Sequence, residues 1–257
     1  MIRLKSPDQI QGMRRAGEVV DEAHRRACRL VVAGVTTREI DAEIERVFTE
    51  RGADPLLRGF PGRVPFPAVS CVSVNDEAVH AIPSTRKLVD GDLVTIDTAC
   101  RLDGWCADAA WSWGVGPVSA ASQQLLRAGE GALSTAVEQL GHCRHWSDVA
   151  AMVSRNVERN GGKLVEWLGG HGIGCVPHED PGLNWAVTRE SDFEIETGLV
   201  LAIEPLVTFG DGRLRLEADG WMLRSGDGQP VVHFEQMVAI GSDGPEILAG
   251  RCEENSV

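Results

Sequence analysis

The sequence predicts a mixed α/β fold of the α+β type, with helices laid over antiparallel sheets. Three observations carry this prediction. Amphipathic helical segments open on capping signals, β-prone runs are bounded by turn residues, and the order helix, helix, strands occurs twice along 257 residues.

Ser6-Pro7-Asp8-Gln9 supplies a capping hydroxyl, a proline for the first helical position and a glutamine where a capping box needs one. Ile10, Met13 and Val20 follow among charges, so an amphipathic helix starts there. Thr36 or Thr37 caps a second helix that carries Ile40, Ile44, Val47 and Phe48 and ends near Gly52. From Ala68 the period changes: 69–74 reads as a strand, Asp90-Gly91-Asp92 as a turn, and 93–97 as the next strand. Residues 121–139 and 147–160 read as two more helices, and 198–207, 221–223 and 231–240 as strands. Residue identity between the two parts is weak, so the duplication rests on element order. The chain is read as one domain, 1–257, with halves of roughly 1–118 and 119–250.

A net charge of −13 without clustered Lys and Arg argues against a nucleic-acid partner, since phosphate neutralisation needs such clusters. No run approaches the roughly 20 apolar residues that cross a bilayer. The first residues also lack the apolar core of a signal peptide. No membrane partner and a cytoplasmic location are therefore expected. Seven cysteines without a CxxC pair read as reduced thiols, and Cys143 beside His142 and His145 as a chance cluster near a helix end.

The chemistry is concentrated in acids. Asp97 and Asp108 flank Arg101-Leu102-Asp103-Gly104, a hairpin signal. If those four residues form the loop, Cys100 faces Trp105, and Asp97 faces Asp108 with Cβ atoms roughly 5 Å apart. Opposed like charges need a shared proton, a basic partner or a cation, and a divalent metal is the simplest remedy. A different register would leave both acids on an exposed edge. His171 lies in Gly169-Gly170-His171-Gly172-Ile173-Gly174, where small neighbours let the backbone aim the imidazole. The glycine spacing does not fit a dinucleotide loop. Glu204 and Glu235 sit in apolar strands, where a carboxylate is costly without a charged partner, unless the sheet face is open to water. Four carboxylates and one imidazole suit Mn, Fe or Co better than thiolate-bound zinc, and two ions a few ångströms apart would favour hydrolysis.

Together with Ser73-Val74-Asn75, His80-Ala81-Ile82-Pro83, His171-Gly172-Ile173-Gly174, His178-Glu179 and Ile203-Glu204-Pro205, these acids make the chain resemble the type I methionine aminopeptidases. The resemblance runs from Ser6-Pro7 to about Ile240. It implies the pita-bread fold, two pseudo-symmetric halves with curved antiparallel sheets around a dinuclear metal centre, as a single catalytic peptidase domain. By the same resemblance, Asp97, Asp108, His171, Glu204 and Glu235 hold two divalent ions (Co, Mn or Fe). A metal-bound hydroxide attacks, Glu204 shuttles its proton, His80 stands near the scissile amide, and His178 donates to the carbonyl oxygen. Phe66, Cys71 and Trp221 match the family's apolar methionine pocket, although plain core packing explains them equally well. The implied activity is removal of the initiator methionine from nascent polypeptides with a small second residue, at the ribosome, by a monomer.

Several positions depart from the family pattern. Ala81 stands where glycine is usual, Ala109 follows Asp108 where a hydroxyl is common, Ala202 likewise replaces a hydroxyl near Glu204, and Pro177 precedes His178 where an aromatic is frequent. Lost hydrogen bonds to ligand side chains typically weaken metal affinity or activity about 10 to 100-fold. Two alternatives compete: an Xaa-Pro peptidase-like hydrolase, whose relatives usually carry an extra amino-terminal domain, and a non-catalytic pita-bread binding protein, whose relatives usually lose metal ligands.

Overall fold

In the computed structural model, which describes residues 1–250, the local signals act as read. Helix α1, Pro7–Ala27, begins in a full capping box in which Gln9 N–H donates to Ser6 Oγ and Ser6 N–H donates to Gln9 Oε1. Helix α2, Thr37–Arg51, is capped by Thr36 with Glu39 and closed by Gly52. Helix α3, Ala120–Leu140, extends the predicted segment 121–139 by one residue at each end, and α4, Trp146–Arg159, begins and ends one residue before the predicted 147–160. No helix among the described residues is long and apolar enough to cross a membrane.

Two cores lie beneath these helix pairs. Met13, Ala16 and Val20 of α1 and Ile40, Ile44 and Phe48 of α2 pack on Val72, Val94 and Ile96. Leu133 of α3 and Trp146 and Val153 of α4 pack on Leu201, Ile203, Phe234 and Val238. Each fully buried large side chain contributes roughly 1.5–3 kcal/mol, which anchors the sheets from behind.

All sheet pairings are antiparallel. In one sheet the long strand Leu93–Leu102 pairs with Trp105–Gly114 on one edge and with Cys71–Val74 and Asp54–Pro55 on the other. A five-stranded sheet runs in the order Gly244–Ala249, Gln236–Gly241, Val200–Ile203, Gly170–Gly172, Glu179–Leu183.

The hairpin register differs from the expected one. Leu102 pairs with Trp105, so the turn is the two residues Asp103 and Gly104, with φ of 49° and 85°. Positive φ at both central positions matches a primed two-residue turn, whose twist suits the strands. Cys100 therefore faces Ala107, Asp97 faces Ala110, and Asp108 faces Ala99. Because the displacement is by two residues, both acids keep the same face and become diagonal neighbours rather than direct opposites.

The segments 198–207 and 231–240 are not continuous strands. Val200–Ile203 pairs with Gln236–Gly241 in one sheet, while Leu206–Thr208 pairs with Val231–His233 in another. The chain changes sheet at Glu204-Pro205 and Phe234-Glu235, and Pro205 has no N–H to continue a ladder. The register is common to both sides of the break, which sets Glu204 across from Glu235. Both acids thus sit at strand interruptions, not at strand centres. Trp221 likewise lies outside the strand predicted for it, which is Leu223–Ser225.

Phe234, 2% exposed, anchors the break: its ring meets Trp111 edge to face at 4.9 Å, and it packs into the second core. Phe234→Ala is predicted to cost about 3–5 kcal/mol, read as a fall in the urea midpoint. A loss under about 1 kcal/mol would show that the break is held elsewhere.

Candidate metal centre and active site

One cavity of about 370 Å³ is lined by all ten residues singled out from the sequence, namely Phe66, Cys71, His80, Asp97, Asp108, His171, His178, Glu204, Trp221 and Glu235. The hairpin contributes Asp97 and Asp108, the sheet break Glu204 and Glu235, and the glycine-rich strand His171. A backbone bridge ties the first two elements together: Glu235 N–H donates to Ala110 C=O at 2.7 Å, and Ala110 is the partner of Asp97.

Ligand atoms of Asp108, His171 and Glu235 all lie within 4.8 Å of one another. Glu204 borders this trio, its Oε1 being 4.0 Å from His171 Nε2. Asp97 lines the same cavity floor but stands outside the tight trio. His171 Nδ1 lies 3.0 Å from Gly172 C=O. A carbonyl only accepts, so Nδ1 carries the proton and Nε2 presents its lone pair. Asp108 Oδ1 is buried without a hydrogen-bond partner. An orphaned carboxylate oxygen, two further carboxylates and an imidazole lone pair converging on one point form a donor set that fits a hard or borderline divalent cation.

The electrostatics agree. Burial first, and then Asp97 and Glu204, push Asp108 well above the usual carboxylate range. Burial, Asp108 and Glu204 do the same to Glu235. Asp97 is pushed up to about 6 by burial, with the His233 imidazole opposing and Glu204 adding to the rise. Glu204 moves the other way: burial raises it, but His233, His171 and His80 outweigh burial and hold its carboxyl below the usual range. Among the described residues no Lys or Arg lines the cavity.

His80 and His178 stand at the rim, reached by solvent through the cavity yet surrounded by protein, and desolvation is the first cause that holds both imidazoles below their ordinary range. His80 adopts φ 58°, a left-handed conformation that a side chain rarely takes without an imposed geometry. The His171 and His178 rings meet at 4.2 Å between centroids. Beside the carboxylates, Phe66, Ala68 and Cys71 form a separate apolar cluster with Leu57, Phe60, Ile82 and Trp221. Trp221 meets Phe66 edge to face at 5.3 Å.

Two participants escaped the sequence reading. Phe60 packs edge to face on both His178 and Trp221, linking the apolar wall to the rim. His233, 2% exposed, places Nε2 3.4 Å from Glu204 Oε2, an ion-pair distance with alignment too poor for a hydrogen bond. Alternation along an extended run puts His233 and Glu235 on one face, a signal that was available.

The metallopeptidase family M24 model matches residues 11–242, and the chain belongs to that family. Within it, the chain is 37% identical to methionine aminopeptidase of Clostridium perfringens over 96% of this chain and 98% of that one. It is 34% identical to methionine aminopeptidase 1 of Bacillus subtilis, covering 96% and 99%. The crystal structure of methionine aminopeptidase from Thermotoga maritima superposes with a TM-score of 0.92 at 32% identity, covering 98% and 100%. Prolidase from Pyrococcus furiosus shares the fold alone, with a TM-score of 0.78 at 20% identity, and this chain covers 66% of it. The fold is the pita-bread arrangement, and the chain is a divalent-metal-binding hydrolase of this family.

Two outcomes follow from the charge balance. In metal-free protein the Asp97 carboxyl contributes stability that is present below its unfolded pKa, about 3.9, and is lost as pH rises through about 6. Urea unfolding from pH 4 to 7 should therefore show wild type losing stability relative to Asp97→Asn, and parallel curves would refute this. Burial and the neighbouring acids raise the Asp108 and Glu235 carboxyls well above the usual carboxylate range, and a cation takes their ionised forms, so Mn²⁺ uptake should release protons. Calorimetry in buffers of different ionisation enthalpy reads that release, and a buffer-independent enthalpy would contradict it.

Proposed function

We propose that this chain is a metal-dependent aminopeptidase that hydrolyses the N-terminal methionine from polypeptides with a small second residue. The observation that carries the reading is the joining, in one cavity, of the carboxylate and imidazole cluster to the apolar pocket of Phe66, Cys71 and Trp221. A flexible thioether suits such a wall, and the scissile amide would then lie over the carboxylates. The named relatives support the same substrate.

In this reading Asp97, Asp108, His171, Glu204 and Glu235 hold two divalent ions, with Mn, Fe or Co suited to the donor set. Bound there, the cations supply Lewis acidity to the carbonyl. Glu204 stays ionised beside three imidazoles and accepts a proton from the attacking water, then returns it to the leaving amine. His178 donates to the carbonyl oxygen as it gains charge, and His80 orients the amide. Phe66, Cys71 and Trp221 exclude water from the methionine side chain. The whole chain forms one catalytic unit of two pseudo-duplicated halves, working as a monomer in the cytoplasm on nascent chains at the ribosome.

Metal-free protein supplied with Mn, Fe or Co should release methionine from Met-Ala-Ser while leaving Met-Lys and Ala-Pro peptides intact. Asp108→Ala should abolish release, and His178→Ala should lower kcat by about 10² to 10³. Silence on Met-Ala-Ser with every metal would sink the proposal, and turnover of Ala-Pro alone would transfer it to Xaa-Pro cleavage.

A further inference from the structure

Behind the cavity rim the fold buries an ion pair whose partners come from distant parts of the chain. Lys5 Nζ donates to Glu179 Oε2 at 2.7 Å, and the two side chains are only 6% and 7% exposed. Removing both charges from water is unfavourable unless the geometry is good and the remaining donors are used. Lys5 Nζ also donates to Arg3 C=O at 2.9 Å, and the Lys5 backbone N–H donates to Gly198 C=O at 2.7 Å. The amino-terminal strap is thereby fixed to the body of the protein.

Glu179 directly follows His178 and opens the strand Glu179–Leu183. His178 ends the bend that leads into this strand and is joined to Glu179 by one peptide unit, so fixing Glu179 restricts how the backbone can present His178. The same carboxylate presses on the loop after His171. A Cβ at Gly174 would lie 2.5 Å from Glu179 Oε1, so only glycine leaves room for the buried carboxylate. One acid thus touches the segments that carry both His171 and His178, whose rings meet each other.

We propose that Lys5 is a positioning residue: through its buried ion pair with Glu179 it sets the rotation of the His178 segment and so the placement of that imidazole over the carboxylate cluster. The kinetic arm of the test rests on the aminopeptidase reading, and the spectroscopic arm does not. Lys5→Met keeps the aliphatic length and removes the charge.

The readouts are kcat and KM for Met-Ala-Ser, and the imidazole ¹H–¹³C spectrum of metal-free protein, with the His178 cross-peak assigned through His178→Asn. Lys5→Met should lower kcat about 10-fold or more, the scale of a small misplacement of a reacting group, with KM within about twofold. It should move the His178 cross-peak while leaving that of His142 in place. Lys5→Arg should restore most of kcat, and Lys5→Met combined with Glu179→Gln should lose no more than the worse single variant. A stationary His178 cross-peak with kcat within about twofold of wild type overturns the inference, as do losses that multiply in the double variant. If Lys5→Met does not fold, Glu179→Gln carries the same readouts. Wild type that leaves Met-Ala-Ser intact sinks the aminopeptidase reading, while the His178 cross-peak of metal-free Lys5→Met still decides the positioning role.

Discussion

Four carboxylates, those of Asp97, Asp108, Glu204 and Glu235, share one cavity whose lining among the described residues holds no lysine or arginine, and this crowding of acids is the constraint on which the rest of the molecule is arranged. Isolated, each acid would favour water, and together they repel. They stay in place because their backbones are held from behind. Asp97 and Asp108 sit on a hairpin packed against α1, and Glu204 and Glu235 sit at a change of sheet clamped by Phe234. The stress is relieved unevenly. Asp108 and Glu235 are pushed well above the usual carboxylate range, whereas Glu204, next to three imidazoles, is held below it. That asymmetry divides four similar groups into those that a cation would deprotonate and one already suited to accept a proton.

How much of this was legible in the sequence depends on how local each signal is. The caps at Ser6 with Gln9 and Thr36 with Glu39 are complete within four residues, and both hold in the structure. The hairpin was found but misregistered, because a four-residue loop was read where Asp103-Gly104 alone turns the chain. An Asp-Gly pair is the stronger signal for a two-residue turn. The sheet break was invisible to hydropathy, since 198–207 and 231–240 are apolar on both sides of it. Only Pro205 marked it locally, and the change of partner strand is a property of the whole topology. The ten candidate residues were collected by chemistry and resemblance, and the cavity brings them together. His233 was passed over because a histidine in an apolar run reads as core.

The alanines at 109, 110 and 202 take hydroxyls away from the site, and the structure shows what stands there instead. Ala110 contributes its carbonyl, which receives Glu235 N–H, and Ala202 pairs by backbone with His171. The imidazole of His233 occupies the space beside Glu204. His233 is itself fixed by Ser112, whose hydroxyl accepts its N–H and donates to its C=O. Ser112 Oγ also meets Thr95 Oγ1 at 2.7 Å. A buried ring on the facing strand thus stands beside Glu204. Orientation by a fixed group nearby is what such positions require, and the chemical type of that group is secondary.

Charge and shape are separated in the cavity. The charged floor comes from the hairpin, the glycine-rich strand and the sheet break, all rigid elements. The apolar wall comes from the segment around Leu57, Phe60 and Phe66 with Trp221, which lies outside any strand. A substitution of Phe60, Phe66 or Trp221 in the wall changes the space offered to a side chain and removes none of the groups that shift the acids of the floor. A substitution of Asp97, Asp108 or Glu204 alters the proton balance of another acid, because each of these three is among the causes of a neighbour's shift. Selectivity can therefore drift residue by residue on this scaffold, whereas the floor tolerates change only as a set.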